Sequence, residues 1–275
     1  NQTGSMVYAL GVHADLLPAH ERPGFRERYW AVVRLAAEYL YGTLNGDGLH
    51  GPAFDLWEKF RGSFTYSNAA IYAAFRAAAA WAAARGEDAL AARWGAAADR
   101  IKAVLLARCW NGDYFARGFN ERGEVDWSVD SAMLGVCDPF QMLSLDDVAE
   151  RTMIARMVEV IRARLTRQLP EGEGIMRHEW DDYGGGAAGG VNTLWLARVM
   201  LRLARYDQDR DAARSHRYRD DAVRYLRTVI ARGTTTGLLP ELIGSDTLHH
   251  WAVPHGWAMA SYLQCALLLD QLGKG

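Results

Sequence analysis

The sequence predicts an all-α protein, a toroid of paired helices with a cleft at one end, and two observations predict it. Apolar residues recur at helical spacing almost throughout, and no convincing run of strand alternation interrupts them. The links between the helical segments also alternate in length. Those at 85–86 and 207–210 are short, as antiparallel neighbours require, whereas 43–63, 109–145, 167–189 and 233–254 are long. Helices joined by short turns on one side and long loops on the other gather the long loops together. A solenoid is the other all-α solution, but no period of 30 to 50 residues is visible.

The expected helices cover residues 4–17, 24–42, 64–84, 87–108, 146–166, 190–206, 211–232 and 255–272. Several carry recognisable ends. Gly86 and Gly233 follow two of them as candidate left-handed C-caps, and Asp146 and Asp147 precede the fifth as candidate N-caps. No Pro/Ser-rich linker divides the 275 residues, so residues 1–275 read as one domain.

Composition excludes several classes. Half of the residues are hydrophobic and 23% charged, the balance of a packed globular chain. A formal net charge of -2 without a basic block argues against nucleic acid as a partner. No apolar run reaches the roughly 18 residues of a membrane span. Cys109, Cys137 and Cys265 have neither metal spacing nor disulfide pairing, and read as small buried hydrophobes in a reducing compartment. That weakly favours the cytoplasm. The opening NQTGSMVYAL has no initiator Met and no signal pattern, so localisation is not read from it.

The long loops hold the candidate chemistry. Glycoside hydrolysis commonly uses two carboxyl groups, one protonating the leaving oxygen and one activating water. Glu58 follows Leu56 and Trp57 in AFDLWEKFRGSFTY, and Glu241 follows Pro240 in TGLLPELIG. Apolar neighbours disfavour the charged form of a carboxyl, which suits a general acid. Each glutamate alone is equally well an ordinary loop carboxylate among 33 acidic residues. Asp126, Trp127 and Asp130 lie in EVDWSVDSAML, and Arg177 to Tyr183 in RHEWDDY. Trp251, His255 and Trp257 lie in HHWAVPHGWAMA. Aromatic rings beside carboxylates and guanidinium suit sugar recognition, or simply plug gaps between helices.

Other constellations fall short. His249, His250 and His255 have no second ligand cluster with zinc spacing, so no metal and no cofactor is expected. GGGAAGG at 184–190 lacks the Lys-Ser/Thr of a phosphate loop.

DLWE, with Gly62, Ser63 and Phe64 behind it, resembles the motif bearing the general acid in glycoside hydrolase family 15, the glucoamylase-like enzymes. The resemblance continues in order: VDSAML, RHEWDDYGGG followed by NTLWLA, LLPE and PHGWAMA. It implies an (α/α)6 barrel of twelve helices, about eight of them on this chain, and an inverting exo-acting α-glucosidase releasing β-glucose. Glu58 then serves as acid and Glu241 as base, with Asp55, Trp57, Lys59, Asp130, Arg177, Tyr183 and Trp257 at the substrate. An α-glucan or α-gluco-oligosaccharide is the implied partner.

This chain departs from the family pattern at Lys59, Leu242 and Ala258, which leaves the linkage open among α-1,4, α-1,6 and trehalose. NQTGSMVYAL resembles the segment opening the family's fifth helix, so the first four helices are expected on a complementary N-terminal fragment. The reading of a different class is a non-catalytic carbohydrate-binding or regulatory subunit with the same barrel.

Overall fold

A computed structural model describes residues 1–244 and 251–273. Eight α-helices run through them, each within two residues of its expected start and end: α1 Gln2–Leu16, α2 Arg22–Gly42, α3 Thr65–Ala84, α4 Asp88–Cys109, α5 Val148–Leu165, α6 Gly190–Asp207, α7 Ala212–Ala231 and α8 Gly256–Leu272. Six short strands lie in the long links: β1 Ala53–Phe54, β2 Arg61–Phe64, β3 Gly118–Asn120, β4 Val125–Asp126, β5 Thr166–Leu169 and β6 Gly172–Ile175. They correct the expectation of a chain without strands. Two to four residues are too few to display a period of two, so the sequence pattern had nothing to register.

The chain divides into two compact units, residues 1–127 with 135–143 and residues 128–134 with 144–275. In the first, α3 is the central element. Every residue from Thr65 to Phe75 is buried, so the N-terminal half of α3 is enclosed on all sides and α1 and α4 pack against it. Gly4 and Gly11 of α1, seven residues apart, meet Ala70 and Ala77 of α3. A Cβ on Gly4 would lie 2.9 Å from the Ala70 carbonyl carbon. Trp94, Ile101 and Leu105 of α4, with Phe115 and Leu49, fill the remaining core. An antiparallel sheet in the order β1-β2-β3-β4 covers the entry to α3.

In the second unit α6 has the same character. Gly190 to Leu201 are all buried, with α7 and α8 packed against the helix and Trp195 at its centre. The β5–β6 hairpin closes over α5, α6 and α7.

Asp147 caps α5 as expected, its side chain accepting the Glu150 N–H at 2.9 Å. Gly86 takes a φ of 74° directly after α3 and stops it as expected. Gly233 does not. It follows α7 without a positive φ, and the left-handed turn falls at Gly237, φ 81°, inside the next loop. Cys109, Cys137 and Cys265 are buried thiols outside any disulfide, and burial pushes the Cys109 thiol up to about 11. Among the described residues no helix is long and apolar enough to cross a membrane.

Candidate active site

Two local structures carry the candidate carboxylates, one in each unit. In both cases the carboxylate sits on a segment bonded to the N-terminal end of a buried helix.

In the first unit, β1 and β2 form a hairpin whose loop, residues 55–60, carries Asp55, Trp57, Glu58 and Lys59. Asp55 is 4% exposed, and its Oδ1 accepts the Lys59 N–H at 2.8 Å and the Phe60 N–H at 3.0 Å. Its own N–H donates to the Phe60 carbonyl at 2.9 Å, and its carbonyl accepts the Glu58 N–H at 3.3 Å. The Asp55 carboxylate thus works inside the turn, a use that a substrate contact on its own does not explain. Glu58 stands in the left-handed region at φ 57°. Its side chain is exposed, so the apolar packing expected around it is not what surrounds it. Trp57 is half-buried and Lys59 is exposed, with its ammonium 5.7 Å from the centre of the Phe60 ring. The Arg117 guanidinium lies 4.1 Å from the same ring and pairs with Asp126 at 2.9 Å.

The hairpin is fixed to α3 by residues that sequence reasoning passed over. His50, 5% exposed, accepts the Phe64 N–H on Nε2 at 2.9 Å and donates from Nδ1 to the Gly51 carbonyl at 2.5 Å. The His50 N–H donates to Asn68 Oδ1, and Asn68 Nδ2 donates to Ser63 Oγ and the Phe64 carbonyl. Burial pushes the His50 pKa down to about 4, so the imidazole is neutral with its proton on Nδ1. Neither residue belongs to a motif that sequence alone flags. Their signal is burial.

In the second unit, Glu241 lies on a segment bonded to the first turn of α6. The Gly190 N–H donates to the Glu241 carbonyl at 2.7 Å, and the Glu241 N–H donates to the Trp251 carbonyl at 3.1 Å. Residue 190 must be glycine for this approach, since a Cβ there would lie 2.7 Å from the Pro240 oxygen. The half-buried carboxylate accepts from the Tyr183 hydroxyl at 3.3 Å. Trp251 Nε1 donates to the same hydroxyl at 2.6 Å. The Arg177 guanidinium lies 4.2 Å from the centre of the Tyr183 ring and forms a bidentate pair with Asp181 at 2.7 and 2.5 Å. Burial works to raise the Asp181 carboxyl, but Arg177 and the Tyr183 N–H override it and hold it below the usual range.

Tyr183, Arg177 and Glu241 are therefore brought together. Asp181 and Trp251 join them, although sequence reasoning counted both only as loop residues. The four-residue spacing of Arg177 and Asp181 was the available signal for one of the two. Asp130 is 2% exposed and its Oδ1 accepts the Ala132 N–H at 2.8 Å, while its backbone bridges to His178. Trp257, at the first turn of α8, is 37% exposed and lies 5.7 Å from Trp195 between ring centres. His249 and His250 lie outside the described residues, and His255 bonds through its N–H to the Leu239 carbonyl. Among the described residues no three His, Cys, Asp or Glu side chains are grouped to hold a metal ion.

A family model described as "Glycosyl hydrolases family 15" matches residues 24–258. A glycosyl hydrolase of Methanocaldococcus jannaschii, itself uncharacterised, is 29% identical over 267 residues, which are 96% of this chain and 40% of that protein. The chain thus spans about 40% of the length of that curated relative. Among solved structures, the glucoamylase of Hormoconis resinae matches 98% of this chain with 52% of its own, at 16% identity and a TM-score of 0.76. A wild-type glycosidase matches 98% of this chain with 66% of its own, at 20% identity and a TM-score of 0.71. These likenesses show the fold, which is the all-α (α/α)6 class of the glucoamylases.

Proposed function

The chain belongs to glycosyl hydrolases family 15, and from that membership we propose that the complete protein is an inverting, exo-acting α-glucosidase acting on α-glucans or α-gluco-oligosaccharides. Glu58 donates a proton to the glycosidic oxygen as the bond to the anomeric carbon breaks. Glu241 takes a proton from the water that attacks that carbon from the opposite face, which inverts the anomer to β-glucose. Carboxyl groups roughly 6.5–9.5 Å apart leave room for that water.

The observation that carries the reading is the setting of Glu241. Its backbone is tied on both sides, by Gly190 and by Trp251, while its carboxylate receives a hydroxyl donor and stays accessible. A carboxylate fixed in direction and still open to water is what a general base requires. Glu58 contributes the complementary property. An exposed carboxyl at the tip of a tight hairpin loop can reach a substrate oxygen and exchange its proton with solvent. Arg177, Trp57 and Trp257 supply the guanidinium and aromatic groups that sugar recognition uses.

The reading also includes a complementary N-terminal fragment. In α8, Leu263 and Leu267 stand four residues apart on one face and are 59% and 63% exposed. An apolar helix face of that kind is stabilised when further helices cover it.

The test incubates the complete protein with maltose, isomaltose and trehalose and follows glucose and its anomer. Release of β-glucose by the wild type, abolished in Glu58→Gln and Glu241→Gln, is the expected result. Equal release by all three proteins would remove both residues from the mechanism, and α-glucose as first product would overturn inversion. No release, with the sugar still bound, would favour a carbohydrate-binding subunit.

A further inference from the structure

We propose that Tyr183, with Trp251 behind it, is a positioning residue for the Glu241 carboxylate rather than a contact to the sugar, an inference that rests on Glu241 being the base. The hydrogen-bond inventory of a phenol settles the direction. A tyrosine hydroxyl has one proton to give. The Trp251 indole can only donate, so at 2.6 Å it occupies a lone pair of the Tyr183 oxygen. The hydroxyl proton is then directed to the other neighbour, Glu241 Oε2, at 3.3 Å. The result is a one-way chain, indole N–H to phenol oxygen, phenol O–H to carboxylate.

Two further contacts hold the phenol where the chain needs it. The Arg177 guanidinium stacks 4.2 Å from its ring centre, and Asp181 fixes that guanidinium through two bonds while its Oδ1 accepts the Tyr183 N–H at 3.1 Å. Trp251 acts twice on the same residue, because its carbonyl accepts the Glu241 N–H. One residue therefore sets the backbone of the base and, through Tyr183, the direction of its carboxylate. The 3.3 Å separation exceeds the 2.7–2.8 Å usual for a hydroxyl donor, as is common for catalytic hydrogen bonds before substrate binds.

The experiment measures kcat and KM on maltose for the complete protein and for Tyr183→Phe, Trp251→Phe and the double variant. Tyr183→Phe keeps the ring under Arg177 and removes only the hydroxyl. It is expected to lower kcat about tenfold with KM within about twofold, the scale of one hydrogen bond to a charged group. Trp251→Phe, which retains the backbone carbonyl, is expected to cost about threefold in kcat. The double variant is expected to match Tyr183→Phe, because Trp251 acts through the hydroxyl already removed.

A KM that rises while kcat holds would make Tyr183 a substrate contact and overturn the proposal, as would losses that multiply in the double variant. Should Tyr183→Phe fail to fold, the kcat of Trp251→Phe decides alone, since its side chain is 45% exposed and carries little packing. An unchanged kcat there would overturn the chain. Glu241→Gln separates the two levels. Full activity in that variant would sink the assignment of the base itself, whereas an inactive Glu241→Gln beside a normal Tyr183→Phe would sink only this inference.

Discussion

Lowering the pH should loosen the hairpin that carries Glu58, through the single imidazole of His50. Its Nε2 accepts the Phe64 N–H, so protonating that nitrogen would set one donor against another in a site that is 5% exposed. Burial holds the pKa down to about 4, against an ordinary value of 6.5. Between those two values the unfolded chain binds the proton and the folded chain does not. Stability therefore rises with pH across the window. The contribution is fully present above about 6.5 and is lost as the pH falls to about 4. At about 1.4 kcal/mol for each tenfold in proton affinity, it amounts to about 3 kcal/mol. Urea unfolding near pH 7 and near pH 4, on the wild type and on His50→Gln, measures it, because the carboxylates common to both proteins cancel. The wild type should lose about 3 kcal/mol more than the variant over that interval. Equal losses, or an imidazole proton resonance titrating near 6.5, would refute the reasoning.

The hairpin permits two further checks. Gly62→Ala should cost at least about 2 kcal/mol, because its Cβ would fall 2.0 Å from the Phe119 carbonyl oxygen and force β2 from β3. An unchanged urea midpoint would contradict that geometry. Asp55→Ala removes the oxygen that accepts from Lys59 and Phe60, and should cost about 1–2 kcal/mol and speed hydrogen exchange at those two amides. Asp55→Asn keeps an oxygen acceptor and should restore slow exchange. Equal exchange in all three proteins would deny the carboxylate its role in the turn.

The helices were legible because each is long enough for its period to show. The strands were not legible, since β1 and β4 have two residues each, too few for a period of two to show. Caps divided on the same ground. Asp147 acts within its own helix turn and Gly86 ends a helix with open space around it, so local sequence suffices for both. At Gly233 the following Thr-rich turn, closed by the Thr234 and Leu238 backbones, moves the left-handed residue four positions on.

The candidate site divides similarly. Glu58, Glu241, Arg177 and Tyr183 stand in motifs that the chain displays in one dimension. The contacts that set them, His50 to Phe64, Asn68 to Ser63 and Trp251 to Tyr183, join loops to one another or to helix starts. Of these Trp251 is 68 residues from its partner, and no spacing rule reaches that far.

The left-handed backbone at Glu58 has a consequence for how this sequence can change. At φ 57° a side chain with a Cβ costs on the order of 1 kcal/mol that glycine would not. Selection for stability alone would therefore favour glycine at residue 58 and erase the carboxyl with it. With glutamate there, the hairpin keeps an exposed carboxyl on a less comfortable backbone. Any redesign that ranks substitutions by folding energy would choose this position early, and would return a sturdier protein without the carboxyl proposed as the acid.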